Sequence, residues 1–292
     1  MYELIQIGDK SYYINCPSKI GVYQQTETEV YLIDSGNDKD AGKKVRRILE
    51  EKGWTLKGIM NTHSHADHVG GNAYLQQQTG CKVFAGGIEA AFTEDPILEP
   101  TSLYAGYPCK DLRHKFLMAA GSKAVDFTDE DFPKEVEVIP LPGHSFHMVG
   151  FGLPDGTVFL GDCIAGESTL AKYQISFIYN VEEYLKTLDL VENMEGKIFV
   201  PSHVEPSESV KELVHLNRAK VYEIADAITG LLKEPMRTEE LLKKIFDSYE
   251  LVMNFEQYVL IGSTLRSYLS WLKDQGKLAV EFKENYLYWR SV

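Results

Sequence analysis

The sequence predicts an α/β protein in which two layers of strands, with helices outside both, form an αββα sandwich. Three observations support this class. Short β-rich runs fill the first two-thirds of the chain, amphipathic helical segments separate several of them, and the sequence becomes mostly helical after Pro206. We therefore expect a larger domain over residues 1–205 and a small, mostly helical domain over residues 206–292.

The first predicted strands follow one another closely, and most are bounded by Gly, Pro or Asp, which is typical of an antiparallel meander. Val45, Ile48 and Leu49 then share one face of a helix that runs from Lys39 to about Gly53. The predicted strands of the larger domain are residues 2–7, 11–15, 20–24, 29–33, 58–61, 82–85, 136–139, 148–153, 157–160 and 198–201. The further predicted helices of this domain are residues 69–78, 88–92 and 181–192.

The smaller domain has the outline of a winged-helix module. Its predicted helices are residues 208–232, 238–246 and 255–273, and a hairpin of strands 278–282 and 286–289 follows. Thr238 is the expected N-cap of the second helix. The third helix has only Arg266 and Lys273 as basic residues, whereas a nucleic-acid recognition helix normally has a denser cationic face. We expect packing, dimer formation or a wall of the active site instead.

The charge of the chain argues against polyanionic partners. Its 30 basic and 43 acidic residues give a net charge of −13, and residues 1–205 account for −12 of it. Such a surface disfavours nucleic acid and anionic lipid. The longest stretch without a charged residue, 138–154, is too short and too rich in proline to span a bilayer, and residues 1–10 lack a signal-peptide pattern. We expect a cytoplasmic protein without a membrane anchor.

The segment Thr62–Gly71 contains three histidines and an aspartate within six residues, between a predicted strand and a predicted helix. Imidazole nitrogens and carboxylate oxygens suit zinc, and also iron or manganese. A solvated His-rich turn is the alternative. It is disfavoured because further metal-ligand residue types follow other predicted strands, where side chains can meet at one edge of a sandwich. The residues of this segment are His63, His65, Asp67 and His68, and the further ones are Asp34, His144, Asp162 and His203.

These ordered motifs resemble the metallo-β-lactamase superfamily over about residues 1–205. Within it, the pattern looks like the glyoxalase II and lactamase-like protein 2 branch, in which a winged-helix-like tail can follow the catalytic domain. The resemblance implies two divalent metal ions, zinc first, with iron or manganese as alternatives. Its implied ligands are His63, His65 and His144 for one metal, Asp67, His68 and His203 for the other, and Asp162 as the bridge. Asp34 would fix the ligand loop.

The resemblance also implies a reaction. A hydroxide shared by the two metals would attack the substrate, while Asp67 orients the nucleophile and shuttles its proton. We expect hydrolysis of a small-molecule thioester, ester, lactone or lactam. The alternatives are a metal-dependent ribonuclease or phosphodiesterase, which the tail favours and the acidic charge opposes, and a persulfide dioxygenase with one iron.

Residues on the substrate side carry weaker signals. The segment Pro96–Ala120 is either a lid over the metals or a packed surface subdomain, and it includes the predicted substrate contacts Tyr104 and Tyr107. Tyr173 and Phe177 follow Asp162 and are predicted to line a partly apolar pocket for a small molecule. His147 would point away from His144 in a regular strand, and Cys163 is expected to be a small buried residue. An apolar face of the tail allows a homodimer.

Overall fold

The computed structural model describes residues 2–292, and its strands form two large sheets and a separate hairpin. The first sheet, in spatial order, consists of β1 (Glu3–Gln6), β2 (Ser11–Asn15), β3 (Ile20–Gln24), β4 (Glu29–Ile33), β5 (Thr55–Met60), β6 (Lys82–Phe84) and β7 (Ala124–Val125). The second sheet consists of β8 (Glu137–Pro140), β9 (Val149–Gly152), β10 (Thr157–Gly161) and β11 (Ile198–Pro201), in the same order across the sheet. β1–β4 are antiparallel, as the meander predicts, and β4–β7 are parallel.

Successive side chains of a strand point to opposite faces of the sheet, and this alternation builds the layers of the sandwich. In β4, Tyr31 and Ile33 belong to the apolar cluster between the two sheets, whereas Val30 and Leu32 face the helices outside the first sheet. Strand β10 of the second sheet divides its side chains in the same way, and its Phe159 lies in the cluster between the sheets. The αββα sandwich is therefore confirmed.

The helices of the sandwich are α1 (Lys39–Lys52), α2 (Ala66–Val69), α3 (Asn72–Thr79), α4 (Gly87–Glu94), α5 (Leu98–Tyr104), α6 (Glu167–Tyr173) and α7 (Val181–Glu192). The predicted helix 69–78 is interrupted, because Gly70 and Gly71 press against the loop after β4. A Cβ on Gly70 would lie 2.3 Å from the carbonyl carbon of Asn37, and one on Gly71 would lie 2.4 Å from the carbonyl oxygen of Ser35. This close approach brings the end of α2 against the loop that follows β4.

The C-terminal part contains α8 (Lys211–Leu231), α9 (Thr238–Ser248), α10 (Phe255–Asp274), β12 (Leu278–Lys283) and β13 (Tyr286–Ser291). This order of three helices and a hairpin agrees with the predicted module. The N-cap prediction was wrong, because Arg237 occupies that position. Its backbone N–H donates to the Glu240 carboxylate at 2.9 Å, while the Thr238 hydroxyl accepts a hydrogen bond from the indole of Trp289 at 3.2 Å.

The C-terminal helices share one apolar cluster with the second sheet. Val221 of α8 and Leu265 of α10 belong to the same buried cluster as Val158 of β10 and Leu188 of α7. The division of the chain at residue 205 stays a prediction. Along residues 2–292, no helix has the length and apolar character that crossing a bilayer requires.

Two glycines should respond in opposite ways to replacement by alanine. A Cβ on Gly21 would lie 2.6 Å from the ring of Phe159 in the packed space between the sheets, whereas one on Gly230, on the exposed face of α8, would meet nothing within 4 Å. We expect Gly21→Ala to lower the free energy of unfolding by about 1–3 kcal/mol. Gly230→Ala should raise it by about 0.5–1 kcal/mol, because alanine is the better helix former. Urea unfolding measures both, and a stabilised Gly21→Ala variant would contradict this packing.

Candidate metal centre

The predicted metal ligands come from loops at one edge of the sandwich. Asp34 follows β4 directly, Asp162 follows β10 directly, and His203 lies two residues beyond β11. His63 and His65 lie between β5 and α2, Asp67 and His68 lie within α2, and His144 lies between β8 and β9. The seven predicted metal ligands thus come together, although they span 141 positions of the chain.

Three histidines form the first ligand group. The Nδ1 atom of His65 lies 3.0 Å from Nε2 of His63 and 3.1 Å from Nε2 of His144. One ligand atom from each of the three residues falls within 4.8 Å of the other two. Burial lowers the pKa of all three imidazoles, to about 4 for His65 and His144. The three rings are therefore neutral near pH 7 and have lone pairs available for a metal.

Asp67, His68 and His203 form the second ligand group. Nε2 of His203 lies 3.3 Å from Oδ2 of Asp67, and Nε2 of His68 lies 3.5 Å from the same oxygen. Burial opposes ionisation of Asp67, yet the neighbouring histidines lower its pKa to about 2. The carboxylate of Asp162 raises the pKa of His203 to about 10. The carboxylates of Asp67 and Asp162 thus favour positive charge in this second group, which a bound proton or a metal cation can supply.

Asp162 lies between the two groups. Its Oδ2 atom is 3.2 Å from Nε2 of His203, 3.4 Å from Nε2 of His68 and 3.7 Å from Nε2 of His144. Its other oxygen, Oδ1, is buried and has no hydrogen-bond partner among the described residues. A buried carboxylate oxygen without a partner is costly, and a cation removes that cost. The donor set thus fits divalent metal ions.

Asp34 holds the ligand loop to the sheet. Its carboxylate accepts hydrogen bonds from the backbone N–H and the hydroxyl of Thr62, both at 2.8 Å, and from Nδ1 of His68 at 2.8 Å. The residue is buried and has a positive φ of 63°, a conformation that aspartate tolerates better than most residues. The supporting role that the resemblance implies agrees with these contacts.

Similar bonds set the orientation of the other rings. Nδ1 of His144 donates to the carbonyl oxygen of Phe177 at 3.0 Å, and Nδ1 of His203 donates to that of Pro17 at 2.8 Å. His63 makes the corresponding contact with the hydroxyl of Thr62 at 3.0 Å. Because one ring nitrogen is engaged in this way, the other nitrogen faces the centre of the cluster.

Glu89 of α4 is a residue that sequence reasoning missed. Its buried carboxylate accepts hydrogen bonds from the backbone N–H and the hydroxyl of Ser64, from the hydroxyl of Ser145 and from the backbone N–H of His147. It thereby joins the loop of His63 and His65 to the loop of His144. No local pattern marks this glutamate, because its partners are 25 and more residues away.

The C-terminal helices fix two further loops of the site. The side-chain amide of Asn217 in α8 bonds both the N–H and the carbonyl of Ala165, in the loop that begins with Asp162. In α10, the hydroxyl of Thr264 accepts from the N–H of Ile178 and the hydroxyl of Ser267 donates to the carbonyl of Tyr179. These bonds hold the segment whose Phe177 carbonyl orients His144.

A cavity of about 650 Å³ opens over the cluster. Its lining includes Asp67, His144, Asp162 and His203 of the cluster, and Gln257, Leu260, Ile261 and Thr264 of α10. Helix α10 therefore forms part of the wall of this cavity; whether the cavity is the active site stays a prediction.

The predicted substrate contacts divide into two pairs. Tyr173 and Phe177 line this cavity. Tyr104 packs edge-on against Phe255, and Tyr107 is 74% exposed beside Arg113, so neither belongs to the lining. Their part in substrate binding stays a prediction.

Two other residues singled out by the sequence lie apart from the cavity lining. His147 lies against Gly87 and Ile88 of α4. Cys163 is fully buried, and burial raises the pKa of its thiol. This position agrees with the prediction that Cys163 is a small buried residue.

The αββα sandwich and the cluster of histidines and aspartates at its edge define a metal-dependent hydrolase. Residues 14–203 match the family model described as the metallo-β-lactamase superfamily, which covers more than half of the chain. The chain belongs to this superfamily. The expected family is confirmed, and so is the branch.

Curated relatives extend the likeness beyond the family domain. The chain is 25% identical over 260 residues to a β-lactamase-like protein 2 homolog of Drosophila melanogaster, which covers 85% of this chain and 80% of that protein. It is 26% identical over 229 residues to a hydroxyacylglutathione hydrolase of Pelagibacter ubique, covering 72% of this chain and 86% of the relative.

Solved structures share the fold over nearly the whole chain. A metallo-β-lactamase family protein from Thermus thermophilus aligns with a TM-score of 0.73 at 18% identity, covering 99% of this chain and 98% of that chain. At this identity the likeness concerns the fold alone. Because it spans 99% of the chain, the C-terminal helices belong to the shared architecture.

Replacing Asp34 tests its role in holding His68. In Asp34→Asn an amide N–H would face either Thr62 or His68, both of which donate to the native carboxylate. We expect zinc affinity, measured by competition with a chelator, to fall by about 10–100-fold.

Ser18→Ala is the matched control for this variant. The Ser18 hydroxyl lies 3.4 Å from Nε2 of His68, the nitrogen that faces the cluster and would bind the metal. It does not hold the other nitrogen, Nδ1, as Asp34 does, so removal of the hydroxyl should leave zinc affinity unchanged. Equal losses in both variants would contradict the role assigned to Asp34.

Proposed function

We propose that this protein is a binuclear metal-dependent hydrolase of small molecules that contain a thioester, ester, lactone or lactam bond. The observation that carries the proposal is the cavity of about 650 Å³, whose lining combines residues of the ligand cluster with apolar side chains. A pocket of this size and chemistry suits a small organic substrate.

The proposed ligand sets follow the geometry of the cluster. His63, His65 and His144 would hold one metal and Asp67, His68 and His203 the other, with Asp162 between them. Zinc fits these nitrogen and oxygen donors, and iron or manganese fit them as well. When bound, two divalent ions lower the pKa of water towards neutrality and polarise the group under attack.

The protein's own side chains would orient the reactants. Asp67 lines the cavity and lies 3.3 Å from His203, so it can orient a water molecule and take up its proton. Phe177 and Ile261 give part of the cavity an apolar surface for the carbon skeleton of the substrate. Lys172 and its neighbour Tyr173 are also in the lining, and the lysine favours substrates that have an anionic group.

The comparisons support the small-molecule class. One curated relative is named for the hydrolysis of hydroxyacylglutathione, a thioester, and the alignment covers 86% of its length. The net charge of −13 points the same way, because a polyanion such as RNA would be repelled.

A screen of substrates against defined metal forms tests the proposed function. Zinc-loaded and iron-loaded protein would be assayed with thioesters, lactones, a lactam, a persulfide and single-stranded RNA. We expect hydrolysis of at least one carbonyl substrate, its loss on chelation and its return when metal is added back. Oxygen consumption with the persulfide, or RNA binding that weakens with salt, would replace this proposal with a dioxygenase or a nuclease.

Removing a ligand should remove both metal and turnover. His63 is fully buried, and His63→Ala deletes one of the three donors of the first ligand group. We expect turnover to fall by more than the roughly 10–100-fold that follows loss of an outer hydrogen-bond partner in such sites. Metal content by mass spectrometry is the second readout. Full activity in a metal-free variant would refute the proposal.

The wall formed by α10 should control substrate size. Gln257 is half-buried and lines the cavity, so Gln257→Trp would narrow it. We expect KM for a bulky acyl substrate to rise by about 10-fold or more, while KM for an acetyl substrate changes little. Ser270→Trp, on the exposed face of the same helix, is the control. Equal effects on both substrates would show that α10 does not limit size.

A further inference from the structure

Glu99 is a buried acidic residue that lies outside the predicted ligand set and contacts one member of it. It belongs to the first turn of α5, is 8% exposed, and its Oε1 atom lies 3.5 Å from Nε2 of His65. Sequence analysis gave no reason to single it out, because 34 residues separate it from His65.

The orientation of His65 differs from that of the other two histidines in its group. His63 and His144 turn Nε2 towards the shared centre, whereas His65 turns Nδ1 towards it. Its Nε2 atom therefore lies on the outer edge of the ring and points away from the centre. Glu99 is the carboxylate that faces this outer nitrogen.

Glu99 differs from its neighbour Glu89 in how its carboxylate is used. Glu89 accepts four hydrogen bonds from the two ligand loops. Within residues 2–292, the Glu99 carboxylate makes no polar contact shorter than the 3.5 Å between its Oε1 atom and Nε2 of His65. A carboxyl group that is buried and has no other polar partner calls for a hydrogen-bond donor.

Apolar packing keeps Glu99 at this place. Leu103, one turn further along α5, lies in a small buried cluster with Leu112, Leu117 and Val259 of α10. The helix of Glu99 is therefore anchored to the C-terminal module. The predicted lid segment is, at this point, packed against the protein core.

We propose that Glu99 is a positioning residue that accepts a hydrogen bond from Nε2–H of His65 and so presents Nδ1 of this ring to the first metal. This inference rests on the ligand role of His65 in the proposed function. In metal sites, a carboxylate on the second nitrogen of a histidine fixes the tautomer and makes the ligand more basic. Glu99 supplies this carboxylate to His65, as Asp34 does to His68.

Metal binding in the absence of substrate tests the proposal. Zinc affinity would be measured by chelator competition for the full chain and for Glu99→Ala and Glu99→Gln. We expect Glu99→Ala to bind the tighter zinc ion about 10–100-fold more weakly, and Glu99→Gln to lose less because its amide oxygen still accepts a hydrogen bond. The visible absorption bands of the cobalt-substituted protein should shift in Glu99→Ala.

The control is Glu94→Gln, which removes an exposed carboxylate from the neighbouring helix α4. It should leave the zinc affinity and the cobalt spectrum unchanged. Thermal unfolding shows whether each variant folds. If Glu99→Ala does not fold, the proposal requires that Glu99→Gln lose at least about 3-fold in zinc affinity. Wild-type affinity and an unchanged spectrum in the folded variants would overturn the role of Glu99 alone, whereas a wild-type chain that binds no metal would overturn the proposed metal centre with it.

Discussion

Five imidazoles and two carboxylates share one edge of the sandwich, and the cost of burying these groups is the constraint that the surrounding structure satisfies. His63 and His68 have no exposed surface, and Oδ1 of Asp162 has no partner among the described residues. Divalent cations would balance these groups. The surrounding protein orients the imidazole rings, because each ring must present the correct nitrogen before a metal can bind. Asp34 and the carbonyl oxygens of Phe177 and Pro17 perform this task.

The C-terminal helices contribute to the same task from the other side of the cavity. Asn217 fixes the loop after Asp162, Thr264 and Ser267 fix the segment that orients His144, and Val259 packs against the helix that carries Glu99. The module therefore acts on the ligand loops through ordinary hydrogen bonds and apolar contacts. Helix α10 has only Arg266 and Lys273 as basic residues, which is consistent with this use. Helix α10 also lines the cavity next to the ligand cluster.

Sequence reasoning could predict the ligand cluster because each ligand follows a strand, and strand ends meet at one edge of a sandwich. Helix α1 could also be predicted from the sequence, since Asp38 at its N-cap and Gly53 at its C-cap are local signals. The roles of Glu89 and Glu99 could not be predicted, because they depend on partners far away in the chain. The N-cap of α9 was misjudged for a similar reason: a hydrogen bond from Trp289, some 50 residues later, occupies the Thr238 hydroxyl.

The central claim is that two groups of side chains bind two metal ions, and anomalous X-ray diffraction at the metal absorption edge tests it most directly. Crystals of the metal-loaded protein should show two anomalous peaks, one among His63, His65 and His144 and one among Asp67, His68 and His203, with Asp162 contacting both ions. Elemental analysis of the same sample should give two metals per chain. A single peak, or ions bound by other residues, would contradict the two-metal account.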